Sequence, residues 1–80
     1  MNNYQIHYFG LLGERRGLAE ESIASPEQTP AGLYAAINAE HRLGMEVSDF
    51  RVAVNDEFTP WEHPLHDGDH IAFLPPMSGG

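Results

Sequence analysis

The stretch His70-Ile71-Ala72-Phe73-Leu74-Pro75-Pro76-Met77-Ser78-Gly79-Gly80 decides the fold of this chain. Its first half alternates, with Ile71 and Phe73 on one face, which is typical of a β-strand buried on one side. Two consecutive prolines end that strand, because proline donates no N–H to a sheet and holds φ near the polyproline value. We therefore expect a strand over residues 70–74, followed by a stiff segment that leaves the folded body.

The residues after the strand suit a segment that enters another protein. Glycine has no Cβ, so Gly79-Gly80 can pass through a narrow channel where a side chain would clash. When extended, residues 75–80 span about 20 Å. We expect a folded domain over residues 1–74 and a flexible tail over residues 75–80 that presents the carboxylate of Gly80 to a foreign active site. A frayed chain end without function is the alternative.

Three other segments have the patterns of strands and turns. Tyr4–Phe9 alternates, and a short strand near Glu21–Ala24 follows an expected loop over Gly10–Gly17. Arg51–Asn55 is a strand with two inward valines, and the polar turn after it could start a hairpin to Phe58. The residues of the first strand that face one side are Tyr4, Ile6 and Tyr8.

One helix is predicted in the middle of the chain. Thr29 is a good N-cap, and Pro30 follows at the first helical position, where its missing N–H costs nothing. The helix should run to about His41, with Gly44 as its stop signal. The apolar residues at helical spacing are Leu33, Ala36 and Ile37.

The order strand, strand, helix, strand, strand predicts an α+β fold of the β-grasp type. A right-handed crossover through one helix places the first and last strands side by side and parallel, in the centre of a mixed sheet. The helix covers one face of that sheet. The other face is left open to solvent or to partners.

The open face is expected to carry an apolar cluster. Phe9 and Leu74 lie on the outward side of the two central strands, and Phe58 could extend the pair. An exposed apolar cluster beside the tail is what a partner interface needs. Packing of the same three side chains beneath a loop is the alternative, since a shift of one residue reverses the faces of a strand.

Composition excludes several classes of function. The formal net charge is −8, with four arginines and no lysine, whereas nucleic-acid binding needs cations that contact phosphate; basic protein partners fit better. The absence of cysteine excludes a thiolate metal site and a cysteine nucleophile on this chain. Without lysine, an activated C-terminus could not acylate the chain's own side-chain amines. No stretch has the features of a signal peptide or a membrane span, so we expect a cytoplasmic protein.

A histidine-rich turn has residue types that can bind metals. Its residues lie across a turn rather than on one helical face, so we expect a polar turn and no metal site. The carboxylates beside Gly68 should bond nearby backbone amides. The residues concerned are His63, His66, Asp67, Asp69 and His70.

Three other features invite functional interpretations. Glu14-Arg15-Arg16 could contact a phosphate or an acidic partner patch, but a solvated loop is the expectation. Glu20-Glu21 could supply a general acid, but no cleft is predicted around it, so we expect a solvated face. Trp61 is expected to cover the edge of the core, with a partner contact as the alternative.

The C-terminal residues carry a family resemblance. Pro64-Leu65-x-Asp67-Gly68-Asp69-x-Ile71-Ala72-Phe73-Leu74, followed by the tail, resembles the signature of the small subunits of molybdopterin synthase, a family of ubiquitin-like sulfur carriers. Tyr8-Phe9-Gly10, Thr29-Pro30 and Val52-Ala53-Val54-Asn55 fit the same family in order. The resemblance covers the whole chain, and only Gly10 and Met77-Ser78 are mild departures from the family pattern.

This resemblance implies a function for the tail. A ubiquitin-activating-like adenylyltransferase would use ATP to adenylate the carboxylate of Gly80, and a persulfide donor would convert it to a thiocarboxylate. The tail would then enter the large subunit of molybdopterin synthase, where the sulfur passes to cyclic pyranopterin monophosphate to form the dithiolene. The inserted residues before Gly80 would be Pro75, Pro76, Met77, Ser78 and Gly79.

The resemblance also implies what the chain lacks. The catalytic groups would belong to the large subunit, and the carrier itself would bind no cofactor. The expected assembly is a heterotetramer of two small and two large subunits, held in part by Phe9, Phe58 and Leu74.

Two alternatives stay open from the sequence. The first is a ubiquitin-like sulfur carrier for another pathway, such as thiamin thiazole synthesis, tungsten cofactor assembly or tRNA thiolation. The second is a non-catalytic β-grasp interaction module whose tail is incidental. The Phe73-Leu74-Pro75-Pro76 lead-in favours molybdopterin synthesis, whereas a diglycine end alone would not.

Overall fold

Five strands form one mixed sheet in residues 1–75, the part of the chain that this computed structural model describes. The strand order is β2-β1-β5-β3-β4, and two α-helices and one 3-10 turn complete the described fold. The elements are β1 (Asn2–Tyr8), α1 (Leu11–Arg16), β2 (Glu20–Ser25), α2 (Pro30–His41), a 3-10 turn (Val47–Asp49), β3 (Arg51–Val54), β4 (Glu57–Thr59) and β5 (His70–Leu74).

The centre of the sheet is the parallel pair of the first and last strands. Ile6 lies opposite Ile71, and Tyr8 lies opposite Phe73. Strand β2 pairs antiparallel with β1 on one side, and β3 pairs antiparallel with β5 on the other. This arrangement confirms the predicted α+β, β-grasp architecture, including the parallel pairing of the first and last strands.

Helix α2 has the predicted bounds. The hydroxyl of Thr29 accepts a hydrogen bond of 3.1 Å from the Gly32 amide, which supplies the N-cap. The predicted stop at Gly44 is wrong, because Arg42 takes the left-handed conformation (φ 52°) and its N–H bonds to Asn38 O at 2.7 Å. The buried face is also shifted: Tyr34 is inside, and Ala36 is exposed.

The core between α2 and the sheet is built around one aromatic side chain. Phe73 is fully buried, and its ring lies 5.4 Å from that of Tyr34, 5.7 Å from that of Phe50 and 6.0 Å from that of Trp61, measured between centroids. Trp61 is half-buried at the margin of this cluster, so the prediction that it covers the core edge is confirmed.

The segment between β1 and β2 differs from the prediction. Gly10–Gly17 was expected to be a loop, but residues 11–16 form helix α1, which ends at Gly17 with φ 81°. A helix this short is not stable by propensity, so tertiary contacts must hold it. Leu12 supplies one of them, since only 1% of its surface is exposed.

The predicted hairpin after β3 is present and adds a fifth strand. Strand β3 ends at Val54, and Asn55 and Asp56 form the two-residue turn with φ values of 51° and 70°. Positive φ at both central residues is the pattern of a type I′ turn, which matches the twist of the flanking strands. Strand β4 follows with Phe58 opposite Ala53, so the sheet has one strand more than the four counted in the predicted order.

No helix in residues 1–75 has both the length and the hydropathy that crossing a membrane requires. Within the tail, the structure describes Pro75 and leaves residues 76–80 outside its described range.

Candidate functional site

The open face of the sheet carries a groove at the point where the chain leaves β5. It has a volume of about 620 Å³ and is almost entirely apolar, and we call it the exit groove. Its lining residues are Phe9, Arg51, Phe58, Leu74 and Pro75.

The strand register assembles this groove. The amide of Phe9 donates a 3.1 Å hydrogen bond to Phe73 O, which continues the β1–β5 pairing by one residue beyond Tyr8 and places Phe9 beside Leu74. Leu74 in turn lies opposite Arg51 on β3. Because these residues point to the same face, their side chains form one row across three strands.

The three residues predicted for a partner interface are brought together here. Phe58, from the edge strand β4, is 66% exposed, and Phe9 is 46% exposed. Leu74 lies between them and is half-buried. Packing beneath a loop, the alternative for this cluster, is therefore excluded, whereas its role as an interface stays a prediction. An apolar groove this open is the kind of surface that another protein covers.

Two further residues of the site, Gly10 and Arg51, were not predicted from the sequence. Gly10 has φ 62° and ψ −138°, a conformation that strongly favours glycine, and a Cβ at this position would lie 3.4 Å from Cγ of Pro75. The chain therefore leaves the sheet directly beside Gly10. Arg51 is the other residue, and its alternation with the inward Val52 and Val54 was the signal that could have placed it on the open face.

The histidine-rich turn uses its carboxylates within the fold. Asp67 Oδ1 accepts a 2.6 Å hydrogen bond from the Asn3 amide, and Asp69 accepts hydrogen bonds from the Asn55 side chain (3.0 Å) and the His66 amide (2.8 Å). Burial would raise the pKa of Asp69, but these hydrogen bonds outweigh it and hold the pKa below its usual value. Within residues 1–75, no three His, Asp or Glu side chains converge as a metal site would require.

His70 instead joins a polar row on the other half of the open face. Its Nδ1 lies 3.3 Å from Nε2 of His7, and Nδ1 of His7 lies 3.3 Å from a carboxylate oxygen of Glu20. The ring centroids are 5.6 Å apart with planes 14° from parallel. With the nitrogens this close, the rings must lie edge to edge in nearly one plane, which is the geometry of an N–H···N hydrogen bond rather than of a stack.

Two of the charged residues around α1, Arg16 and Glu21, are partly buried and paired with each other. Arg16 makes a two-pronged contact with Glu21 (Nε–Oε2 2.7 Å, Nη2–Oε1 2.6 Å), and the hydroxyl of Tyr8 donates a 2.6 Å hydrogen bond to the same carboxylate. Arg15 donates to Leu43 O at 2.8 Å. The expectation of a solvated loop and face is therefore wrong for Arg16 and Glu21, whereas Glu14, Arg15 and Glu20 are exposed.

This contact shifts the titration of its members. Burial would raise the pKa of Glu21, but the hydrogen bonds from Arg16 and Tyr8 outweigh it and keep the pKa below the usual value. Burial also raises the pKa of Tyr8 well above its usual range, and the neighbouring carboxylate adds to that effect. Glu21 is therefore ionised, links β2 to α1 and β1 through its hydrogen bonds, and is not suited to act as a general acid.

Comparison with known proteins identifies relatives in sequence and in structure. The molybdopterin synthase sulfur carrier subunit of Escherichia coli (strain K12) is 32% identical over 79 residues, which cover 95% of this chain and 98% of the relative. A structure from Pyrococcus furiosus assigned as molybdopterin converting factor subunit 1 has a TM-score of 0.82 at 25% identity, with 96% of this chain and 100% of that chain covered.

A second solved structure is a complex of subunits 1 and 2 of the molybdopterin-converting factor from Helicobacter pylori 26695. One of its chains matches with a TM-score of 0.67 at 25% identity, over 98% of this chain and 99% of that chain. The protein-family model described as the ThiS family matches residues 6–80. The chain therefore belongs to the ThiS family, and its relatives include the sulfur carrier subunits of molybdopterin synthase.

Proposed function

We propose that this chain is the sulfur carrier subunit of a molybdopterin synthase. The observation that carries the proposal is the position of the exit groove, which lies where the central strand β5 ends and the tail begins. A partner that covers the groove would bind the folded domain directly beside the tail, residues 75–80, which inserts into that partner. The near full-length similarity to a molybdopterin synthase carrier subunit supports the same function.

The proposed chemistry takes place at Gly80. Its carboxylate is a poor electrophile, so an activating enzyme first joins it to AMP, with release of pyrophosphate from ATP. A persulfide donor then attacks the acyl carbon and displaces AMP. Cleavage of the resulting acyl disulfide by a second thiol leaves the thiocarboxylate on Gly80 and a disulfide on the donor side. The carrier supplies the acyl group, and the residues that catalyse adenylation belong to the activating enzyme.

The partner that consumes the sulfur is a large synthase subunit. In the Helicobacter pylori complex, subunits 1 and 2 of the molybdopterin-converting factor are bound to each other. For this chain we propose the equivalent contact through Phe9, Phe58 and Leu74, with residues 75–80 inserted into the large subunit and sulfur passed to cyclic pyranopterin monophosphate. Two such pairs would form a heterotetramer.

Intact-mass measurement tests the first half of the reaction. The purified chain is incubated with an activating enzyme, ATP and a persulfide donor, and we expect a mass increase equal to the exchange of one oxygen for one sulfur at Gly80. Addition of the large subunit and cyclic pyranopterin monophosphate should return the original mass and yield molybdopterin. A variant with one alanine appended after Gly80 should show no mass increase and form no molybdopterin. Its terminal carboxylate lies one residue further along the chain and belongs to a residue with a side chain, so it cannot take the reacting position.

The matched control carries one extra alanine at the N-terminal end instead and should behave as the unmodified chain. Molybdopterin formation by the C-terminally extended variant would contradict the proposal. Thiocarboxylate formation without any sulfur transfer in the presence of the large subunit would assign the carrier to a different pathway.

A further inference from the structure

Arg51 occupies the middle of the exit groove rather than its rim. It lies opposite Leu74 in the strand register, and its guanidinium Cζ is 5.9 Å from the centroid of the Phe58 ring. Apolar side chains therefore flank it on both sides, with Phe9 beyond Leu74 in the same row. A partner that covers the apolar residues must also cover the cation.

Two of the other three arginines have guanidinium groups that are engaged within the described fold. Arg16 is paired with Glu21, and Arg15 donates to Leu43 O. For Arg51, no carboxylate oxygen of residues 1–75 lies within 4.0 Å, even though the chain has 12 Asp and Glu residues. Its guanidinium lies over the face of the Phe58 ring, and such cation–π contacts are worth about 0.5–1 kcal/mol at exposed sites.

Docking on the groove would remove water from Arg51. A guanidinium that loses its hydration without gaining an acceptor is costly, and the ring of Phe58 cannot accept the hydrogen bonds of its five N–H groups. Arginine also prefers a planar carboxylate that accepts two hydrogen bonds at once. A partner lacking such a group at this position would bind weakly.

We propose that Arg51 is a specificity-determining residue of the carrier, and that the large subunit docks an apolar side chain against Phe9 and Phe58 with a carboxylate placed to pair with Arg51. This inference rests on the proposed function and adds the chemistry of the partner surface. It predicts one acidic group on the docking surface of a partner that is otherwise expected to be basic, because the carrier is strongly acidic.

Binding of the full-length carrier to the purified large subunit tests this inference. Arg51→Gln should raise Kd by about 10- to 100-fold, and Arg51→Glu should raise it further through repulsion between like charges. The matched controls are Arg42→Gln and Arg42→Glu, which change the net charge by the same amounts as the Arg51 variants. Arg42 is exposed at the end of α2 and makes no side-chain hydrogen bond or ion pair with residues 1–75. Both controls should bind as the unmodified carrier does.

Salt titration separates an ion pair from a packing role. Raising the ionic strength should weaken binding of the unmodified carrier and of Arg42→Gln more than it weakens binding of Arg51→Gln. Arg51→Lys keeps the charge but cannot form a bidentate contact with a carboxylate. It should therefore bind more tightly than Arg51→Gln and less tightly than the unmodified carrier.

Equal affinities for the Arg51 variants and their Arg42 counterparts would overturn the inference while leaving the proposed function intact. So would a loss of affinity in Arg51→Gln with an unchanged salt dependence, because that result would indicate packing. Failure of the unmodified carrier to bind the large subunit at all would overturn the proposed function together with this inference.

Discussion

At the scale of single residues, the most informative side chain is Glu21. Its carboxylate receives hydrogen bonds from Arg16 on α1 and Tyr8 on β1, while its backbone belongs to β2. Only 15% of its side-chain surface is exposed. Because removal of one partner leaves the others partly buried and unsatisfied, Glu21 should contribute more to stability than an ordinary surface carboxylate.

We predict that Glu21→Gln lowers the free energy of unfolding by about 1.5–3 kcal/mol near neutral pH. The folded-state pKa of Glu21 is lowered, so its contribution is present above the carboxyl's ordinary pKa of 4.5 and is lost as the pH falls through the folded-state value. Urea denaturation near neutral pH and at about pH 3 measures the difference, which should shrink at the lower pH.

Glu20→Gln is the control, because the Glu20 side chain is 69% exposed and its one ion pair within residues 1–75 is with His7. It should change stability by less than about 0.5 kcal/mol. A Glu21→Gln effect that stays constant across the pH range would show that the carboxylate charge is not what stabilises this contact.

At the scale of secondary-structure elements, the β3–β4 hairpin holds Phe58 beside the exit groove. Its turn places Asn55 and Asp56 at positive φ. Asn55 is also fixed by its side chain, which donates to Asp69 and accepts a 3.0 Å hydrogen bond from the His70 amide. Asp56 makes no comparable side-chain contact within residues 1–75, so its positive φ is not compensated there.

We predict that Asp56→Gly stabilises the fold by about 0.5–1 kcal/mol, since the second position of a type I′ turn favours glycine. Glu57→Gly, one residue later and inside β4, should instead destabilise by about 0.5–1 kcal/mol through lost backbone entropy. Chemical denaturation compares the two variants with the unmodified chain. A destabilised Asp56→Gly variant would mean that the aspartate side chain contributes a contact that outweighs its backbone conformation.

At the scale of the whole molecule, the core of the described chain is built from residues up to Phe73. Phe73 closes the aromatic cluster, and Leu74 and Pro75 already line the exposed groove. The body should therefore fold with its stability independent of residues 76–80, while the proposed chemistry depends entirely on Gly80.

We predict that a chain truncated after Pro75 unfolds with a free energy within about 0.5 kcal/mol of that of the full chain, and that it accepts no sulfur. Urea denaturation and intact-mass measurement of the same preparation check both statements. A clear loss of stability on truncation would show that the last residues belong to the folded body.

Local patterns in the chain were enough to predict most of the elements. Alternation identified Tyr4, Ile6, Tyr8, Ile71 and Phe73 as inward residues, since side chains of a strand change face at every step. Thr29 and Pro30 located the start of α2 because capping depends on neighbouring backbone amides alone. The central parallel pair followed from the preferred hand of a crossover connection, which is a property of every L-amino-acid chain.

Contacts between residues distant in sequence settled what local patterns could not. Helix α1 exists because Leu12 is buried in the core and Arg15 donates to Leu43 O, 28 residues away, and neither contact can be recognised from a six-residue segment. Arg51 acquires its significance only when the strand register sets it opposite Leu74 and brings Phe58 to its other side. Desolvation and charge pairing act between neighbours in space, and the folded sheet alone creates those neighbours.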